Sequence, residues 1–127
     1  MLSDPNRPLY EVKAGLFKGL AHPIRIRILE VLSTAPEASV SELLAATDLE
    51  ASHLSQHLAV LRGNRLVLSE RRGSLVYYRL AYPQVADLLR VARALLGEIL
   101  QTTQQQLVEQ IGLPAIGDAI GDAVGTP

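Results

Sequence analysis

The feature of this 127-residue sequence that most restricts its fold is a change of hydrophobic period after Asn64. Before this residue, apolar side chains recur at helical spacing, which predicts two short helices at roughly 40–47 and 51–63, with only a few residues between them. After it, the pattern alternates as in two strands joined at Gly73-Ser74. Two closely joined helices followed by a hairpin are typical of a winged helix-turn-helix, whose second helix enters the major groove of DNA.

The segments on either side of this core are predicted to be helical. A first helix covers 9–20, and a second begins at Pro23, where the missing N–H costs nothing. Ser39 to Glu42 reads as a capping box for the third helix, and a stripe of apolar residues over 83–111 predicts a long last helix. The fold class is therefore mainly α with a small β-hairpin: a winged helix-turn-helix with N- and C-terminal dimerisation helices. The predicted strands are 67–71 and 75–80, and the predicted organisation is a flexible N-terminus (1–8), one DNA-binding and dimerisation domain (9–111) and a flexible tail (112–127).

The charge distribution indicates a nucleic-acid partner. The net charge is only -1, but residues 52–79 contain five arginines and one glutamate, whereas residues 94–127 contain four acidic residues and no Lys or Arg. A basic segment inside a near-neutral chain is a local electrostatic footprint for DNA. A solvated charged face with no partner is the alternative on this feature alone.

Several classes of protein are disfavoured by what the sequence lacks. There is no cysteine, so disulfides, thiolate metal sites and thiol redox sensing are excluded. No apolar run approaches the ~18–20 residues that cross a bilayer, and the N-terminus has no signal-peptide pattern, so we expect no membrane association and a cytoplasmic location. No phosphate-binding glycine loop, paired-carboxylate arrangement or nucleophile motif is present, so we expect no enzyme and no catalytic residues.

The helix at 51–63 has one apolar and one small polar face. Leu54, Leu58 and Leu61 fall within ~40° of one direction, which must point inward. The opposite face is small and uncharged, as a helix that approaches base edges requires. The DNA-binding residues predicted on this helix are Ser52, His53, Ser55, Gln56 and, for phosphates, Arg62. A merely polar surface is the alternative.

The two histidines of this helix could also be interpreted as metal ligands. His53 and His57 have the i, i+4 spacing of a helical zinc pair, but the glutamate of the H-E-x-x-H motif is missing and no third ligand is identifiable. We therefore expect His57 to be packed and hydrogen-bonded, and His22 to be a helix-entry residue. In the hairpin, cations on a projecting loop suit phosphate or minor-groove contact, against the alternative of a plain polar turn. The predicted DNA-binding residues of the hairpin are Arg71, Arg72, Tyr77 and Arg79.

Three motifs in the same order resemble those of ArsR/SmtB-type bacterial repressors. They are Leu20-Ala21-His22-Pro23-Ile24-Arg25-Ile26-Arg27-Ile28-Leu29, Ser55-Gln56-His57-Leu58-Ala59-Val60-Leu61-Arg62, and the segment from Leu66 to Leu80. The resemblance covers about residues 10–100, and segments 9–20 and 83–100 are similar to an actinobacterial subgroup. It implies a homodimeric winged-helix repressor that pairs through its first and last helices and releases an operator when an effector binds.

The long apolar stripe agrees with this implied dimer. A stripe over 83–111 is longer than a core of ~90 residues can cover, so part of it should be buried against a second copy. A two-fold dimer reads a pseudo-palindrome, one half-site per subunit. The predicted dimerisation residues are Leu9, Val12, Leu16, Leu88, Leu89, Leu95, Leu96 and Ile99.

The sequence departs from the family where many relatives bind metal. Leu44 and Ala46 occupy the positions of a metal-binding Cys pair, and 83–111 contains no His, so we expect no metal and no other cofactor. Arg65 stands where the family usually has Gly, and Glu50 replaces a favoured Ser at the start of the recognition helix, which predicts a weaker cap.

Two other functions compete with a sequence-specific repressor. One is a chromosome-organising protein that binds DNA with little sequence preference, against which the net charge counts. The other is a winged-helix protein-interaction module that uses the 83–111 stripe or the acidic tail. Effector, operator sequence and target genes are not encoded in any motif of the chain.

Overall fold

Five helices and three short strands make up residues 5–111, the part of the chain that the computed structural model describes. The elements are α1 (Leu9–Leu20), α2 (Pro23–Leu32), β1 (Ala38–Ser39), α3 (Val40–Thr47), α4 (Ala51–Gly63), β2 (Val67–Arg72), β3 (Leu75–Leu80) and α5 (Gln84–Ile111). The described residues divide into two compact units, one through Asp87 and one from Leu88 onward. The predicted fold class is confirmed, and the predicted tail, 112–127, lies outside the described residues together with residues 1–4.

Local hydrogen bonds explain where the helices begin. The Ser39 hydroxyl accepts from the Glu42 amide at 3.1 Å and the Glu42 carboxylate accepts from the Ser39 amide at 2.9 Å, which confirms the predicted capping box. The His22 Nδ1 accepts from the Ile24 amide at 3.0 Å, so this residue caps α2 just before Pro23. Glu50 provides no side-chain cap to α4, as predicted.

The core of the first unit joins α2, α3, α4 and the start of β2. Its large side chains that are almost completely buried are Ile28, Leu29, Leu43, Leu54, Leu61 and Val67. Since each such side chain contributes about 1.5–3 kcal/mol of hydrophobic free energy, these contacts hold the helix-turn-helix pair against the sheet. Arg25 adds a polar tie, because its Nε donates to the Gly19 carbonyl at 2.8 Å at the end of α1.

The sheet has three strands rather than the predicted two. β1 pairs antiparallel with β3, with Ala38 opposite Tyr78 and Ser39 opposite Tyr77, so the strand order is β1-β3-β2. A strand of two residues has no alternation to detect, which is why the sequence did not reveal it. Its pairing brings the loop before α3 alongside the wing, the hairpin formed by β2 and β3.

The wing turns sharply at its tip. Gly73 has φ 63° and is the first residue of the two-residue connection between Arg72 and Leu75. A glycine with positive φ at this position is the pattern of a type II′ hairpin turn. The turn therefore explains the Gly73-Ser74 signal in the sequence.

The helix α5 is 28 residues long and, from Val91 onward, carries exposed apolar side chains. Within residues 5–111, neither this helix nor any other combines the length and the apolar character needed to cross a membrane.

The exit from α4 contains a strained residue. Arg65 has φ 61°, a left-handed conformation that a residue with a Cβ adopts at a cost of roughly 1–2 kcal/mol. Glycine adopts this conformation without that cost, since it has no Cβ. The Arg65 side chain is exposed, so its burial does not offset this strain.

Replacing Arg65 by Gly should stabilise the protein. We expect Arg65→Gly to raise the free energy of unfolding by about 0.5–1 kcal/mol in urea denaturation, because relief of the strain exceeds the added entropy of a glycine in the unfolded chain. Arg62→Gly is the matched control, which should instead lose about 1 kcal/mol because Arg62 is helical. Equal losses in the two variants would contradict this account of the helix exit.

Candidate nucleic-acid interface

The recognition face is the exposed side of α4. Leu54, Leu58 and Leu61 are buried, as the sequence predicted, because α4 packs against α1, α2, α3 and β2. The three residues predicted to read bases are all exposed on the remaining surface: Ser52, His53 and Gln56. Ser55, predicted to contact DNA, is exposed as well. No acidic residue lies in the first turn of α4, but the exposed carboxylate of the N-cap residue Glu50 directly precedes that turn.

Two histidines join the start of α2 to the middle of α4. The ring centroids of His22 and His57 lie 4.3 Å apart, with the rings tilted by 48°. His22 uses its Nδ1 as a helix-capping acceptor, so its role as a helix-entry residue is explained. His57 is half-buried and packs against this ring, while His53 is exposed on the same helix.

The surroundings of His57 disfavour its protonated form. Burial is the main cause that lowers the pKa of His57, and the nearby charges of His22 and Arg25 act in the same direction, with a smaller effect from His53. A neutral imidazole at this position lets α2 and α4 approach closely. Within residues 5–111, no group of three or more histidine or acidic side chains is arranged to hold a metal ion.

Acidification should destabilise the helix-turn-helix through His57. Because the pKa of His57 is lowered in the folded protein, the unfolded chain binds the proton more readily. The contribution of His57 to the free energy of unfolding is therefore complete above the ordinary histidine pKa of 6.5, and it decreases as the pH falls below that value. We expect His57→Gln to flatten this decrease in urea denaturation between about pH 7.5 and 5.

The control for this experiment is His53→Gln, which removes an exposed imidazole from the same helix. The control variant should keep most of the decrease, since His57 is still present. A His57→Gln variant that shows the parent's full pH dependence would contradict the assignment.

The two faces of the wing carry different parts of the predicted set. Along β2 and β3, Arg71 lies opposite Val76, on the face that continues into Val67 and Tyr78. Three other predicted residues lie on the opposite face: Arg72, Tyr77 and Arg79. The arginines are exposed, and so is Arg62 at the end of α4. The strand alternation therefore divides the wing cations between two directions.

Arg72 is held by two carboxylates of the same chain. Its Nη1 and Nη2 donate to the two carboxylate oxygens of Glu37 at 2.9 and 2.7 Å, a bidentate pair. Nη2 and Nε also donate to Glu70 Oε2 at 2.8 and 3.2 Å. The guanidinium carbon lies 4.5 Å from the centre of the Tyr77 ring. The hydrogen bonds to Glu37 and Glu70 raise the pKa of Arg72. The bonds that Glu70 accepts from Arg72 lower the pKa of the Glu70 carboxyl group.

Sequence reasoning missed Glu37, which lies 35 residues before Arg72. The pairing of β1 with β3 brings the two together, and a two-residue strand leaves no sequence signal. With Glu37 included, Arg71 and Arg72 at the wing tip are balanced by Glu37 and Glu70. We call Glu37, Glu70, Arg72 and Tyr77 the wing clamp.

The predicted dimerisation residues of α1 and α5 are half-buried or exposed to solvent in the single chain. On α1, Leu9 is 67% exposed, while Val12 and Leu16 are half-buried. On α5, the half-buried residues are Leu88 and Leu89, and the exposed ones are Leu95, Leu96 and Ile99. A row of exposed apolar side chains along one helix, as on α5, is typical of a protein interface.

Comparisons with known proteins agree with this geometry. The model of the family "Bacterial regulatory protein, arsR family" matches residues 22–69, which include α2, α3 and α4. The HTH-type transcriptional regulator Rv0081 of Mycobacterium tuberculosis is 49% identical over 96 residues, which cover 75% of this chain and 83% of that protein. The transcriptional repressor PagR of Bacillus anthracis is 31% identical over 81 residues, covering 64% and 81%.

Solved structures give the same result. The crystal structure of Rv0081 superimposes with a TM-score of 0.71 at 47% identity, over 77% of this chain and 98% of that one. The crystal structure of PagR gives a TM-score of 0.59 at 30% identity, over 66% and 95%. This chain therefore belongs to the arsR family of bacterial regulatory proteins, which are DNA-binding transcriptional regulators.

Proposed function

We propose that this protein is a transcriptional repressor that binds a pseudo-palindromic operator as a homodimer, one half-site per subunit. The observation that carries the proposal is the exposed face of α4, where small and hydrogen-bonding side chains stand on a helix whose apolar face is fully committed to the core. Ser and Gln side chains match the donor and acceptor patterns of base edges in the major groove. The transcriptional repressor PagR is among the similar proteins.

The residues divide into two roles. Base edges are read by Ser52, His53 and Gln56 on the recognition face, and Ser55 contacts the DNA beside them. Phosphates are bound by cations around it, with Tyr77 beside them: Arg62, Arg71, Arg72 and Arg79. The exposure of each of the arginines supports this division, since a phosphate ligand must be reached from solvent.

The proposed dimer is formed by α1 and α5. Exposed apolar side chains on both helices support it, because a single chain gains little from leaving them in water. The proposal gives the protein a regulatory role without catalysis, which membership of a family of transcription regulators supports. It places the protein in the cytoplasm with the bacterial DNA.

Gln56 provides the sharpest test of base reading. Gln56→Ala should weaken binding to the parent's tightest-binding duplex by about 1–3 kcal/mol, while binding to a scrambled duplex of equal length changes little. Fluorescence anisotropy at fixed salt measures both affinities. Gln84→Ala, which removes the same exposed side chain from the start of α5, is the control. If Gln56→Ala discriminates between the two duplexes as the parent does, the assignment is wrong.

A charge on the apolar face of α5 tests the dimer. Ile99 is 50% exposed in the single chain, so Ile99→Glu should not disturb folding but should give a monomer in sedimentation-velocity analysis. Gln101 lies roughly on the opposite side at ~100° per residue, so Gln101→Glu should leave the dimer intact. A dimeric Ile99→Glu protein would contradict the proposed role of this face.

A further inference from the structure

The wing clamp changes what Arg72 presents to DNA. A free arginine offers one positive charge to a phosphate, as Arg71 does, which forms no ion pair within residues 5–111. Arg72 instead lies between two carboxylates, each within 2.8 Å of its Nη2. Together these three side chains carry a net charge of about -1 at neutral pH, so a phosphate approaching Arg72 meets two anions at the same place.

The contact between Glu37 and Arg72 depends on the pairing of two strands, because the two residues are 35 positions apart in the sequence. Ser39 pairs with Tyr77, which fixes the loop before α3 along the β3 edge of the wing. The Glu37 carboxylate then matches both ends of the Arg72 fork, and the Tyr77 ring covers one side of the guanidinium. Bidentate geometry and stacking together hold the side chain in one place.

We propose that Glu37, assisted by Glu70, limits the strength with which the wing binds phosphate, by keeping the Arg72 guanidinium engaged within the chain. This inference rests on the proposed function and adds a residue that sets its affinity. To contact a phosphate, Arg72 must give up its bidentate partner or bring that carboxylate close to the DNA. Either route makes phosphate binding by Arg72 less favourable than binding by an arginine without an ion pair.

The same contacts are expected to contribute little to folding. Glu37, Glu70 and Arg72 are substantially exposed, with 34–55% of each side chain accessible. Surface ion pairs of this kind contribute little to the free energy of unfolding, so neutralising one partner should leave the fold intact. A change in DNA affinity can therefore be separated from a change in stability.

The test measures affinity for a random-sequence duplex at several salt concentrations. Glu37→Gln keeps the size of the side chain and removes its charge, and it should raise the affinity about three- to eightfold at 0.1 M salt, up to the value of one phosphate contact. The slope of log affinity against log salt should become steeper by up to about 0.9, the value for one additional phosphate contact. The double variant Glu37→Gln/Arg72→Gln should lose this gain.

Glu30→Gln is the matched control. Glu30 is an exposed acid on α2 without an ion pair in the described residues, so its removal changes the net charge equally but leaves the wing clamp intact. We expect its salt slope to equal that of the parent, and circular dichroism should show the parent's melting curve for every variant.

Three results would overturn the inference. They are a Glu37→Gln protein with the parent's affinity and slope, an equal increase in Glu30→Gln, and a gain that persists in the double variant. A parent that binds no duplex at low salt would overturn the proposed function and, with it, this inference. A parent that binds while Glu37→Gln changes nothing would overturn the inference alone.

Discussion

The packing of one apolar stripe on α4 determines how the rest of the structure can act. Leu54, Leu58 and Leu61 are at most 3% exposed, which fixes the rotation of the helix about its own axis. Truncating a buried leucine typically costs 2–5 kcal/mol, far more than any contact that the exposed face makes within the chain. The hydrogen-bonding side chains of α4 consequently have one direction available to them, away from the core, and the site depends on this orientation.

The elements that the sequence could predict are those with periodic or capped patterns. The four helices of the first unit, the hairpin and the buried leucines all follow from spacing, a capping box and a glycine turn. The contacts that it could not predict are non-local. β1 is too short for a pattern, and the pairing of Glu37 with Arg72 depends on that strand. The prediction that Arg72 binds phosphate therefore did not take into account its bidentate contact with Glu37.

Electrostatics and burial indicate different partners for the two units. In the first unit, basic residues around α4 and the wing suit a polyanion, but the charge of the wing tip is balanced by Glu37 and Glu70. Such a balance suits a protein that must release poorly matched DNA better than one that coats a chromosome, for which unpaired cations provide the affinity. In the second unit, the exposed leucines and Ile99 of α5 suit an apolar partner surface, such as the same helix of another copy.

The measurement that tests the central claim most directly is the selection of binding sites from a pool of random duplex DNA, repeated at two salt concentrations. An α4 that reads bases in a two-fold dimer predicts enrichment of an inverted repeat whose half-site centres lie roughly 10–10.5 base pairs apart, or a multiple of that spacing, at both concentrations. Retention that falls with salt and enriches no sequence would contradict the claim, because phosphate contacts alone would then account for the binding.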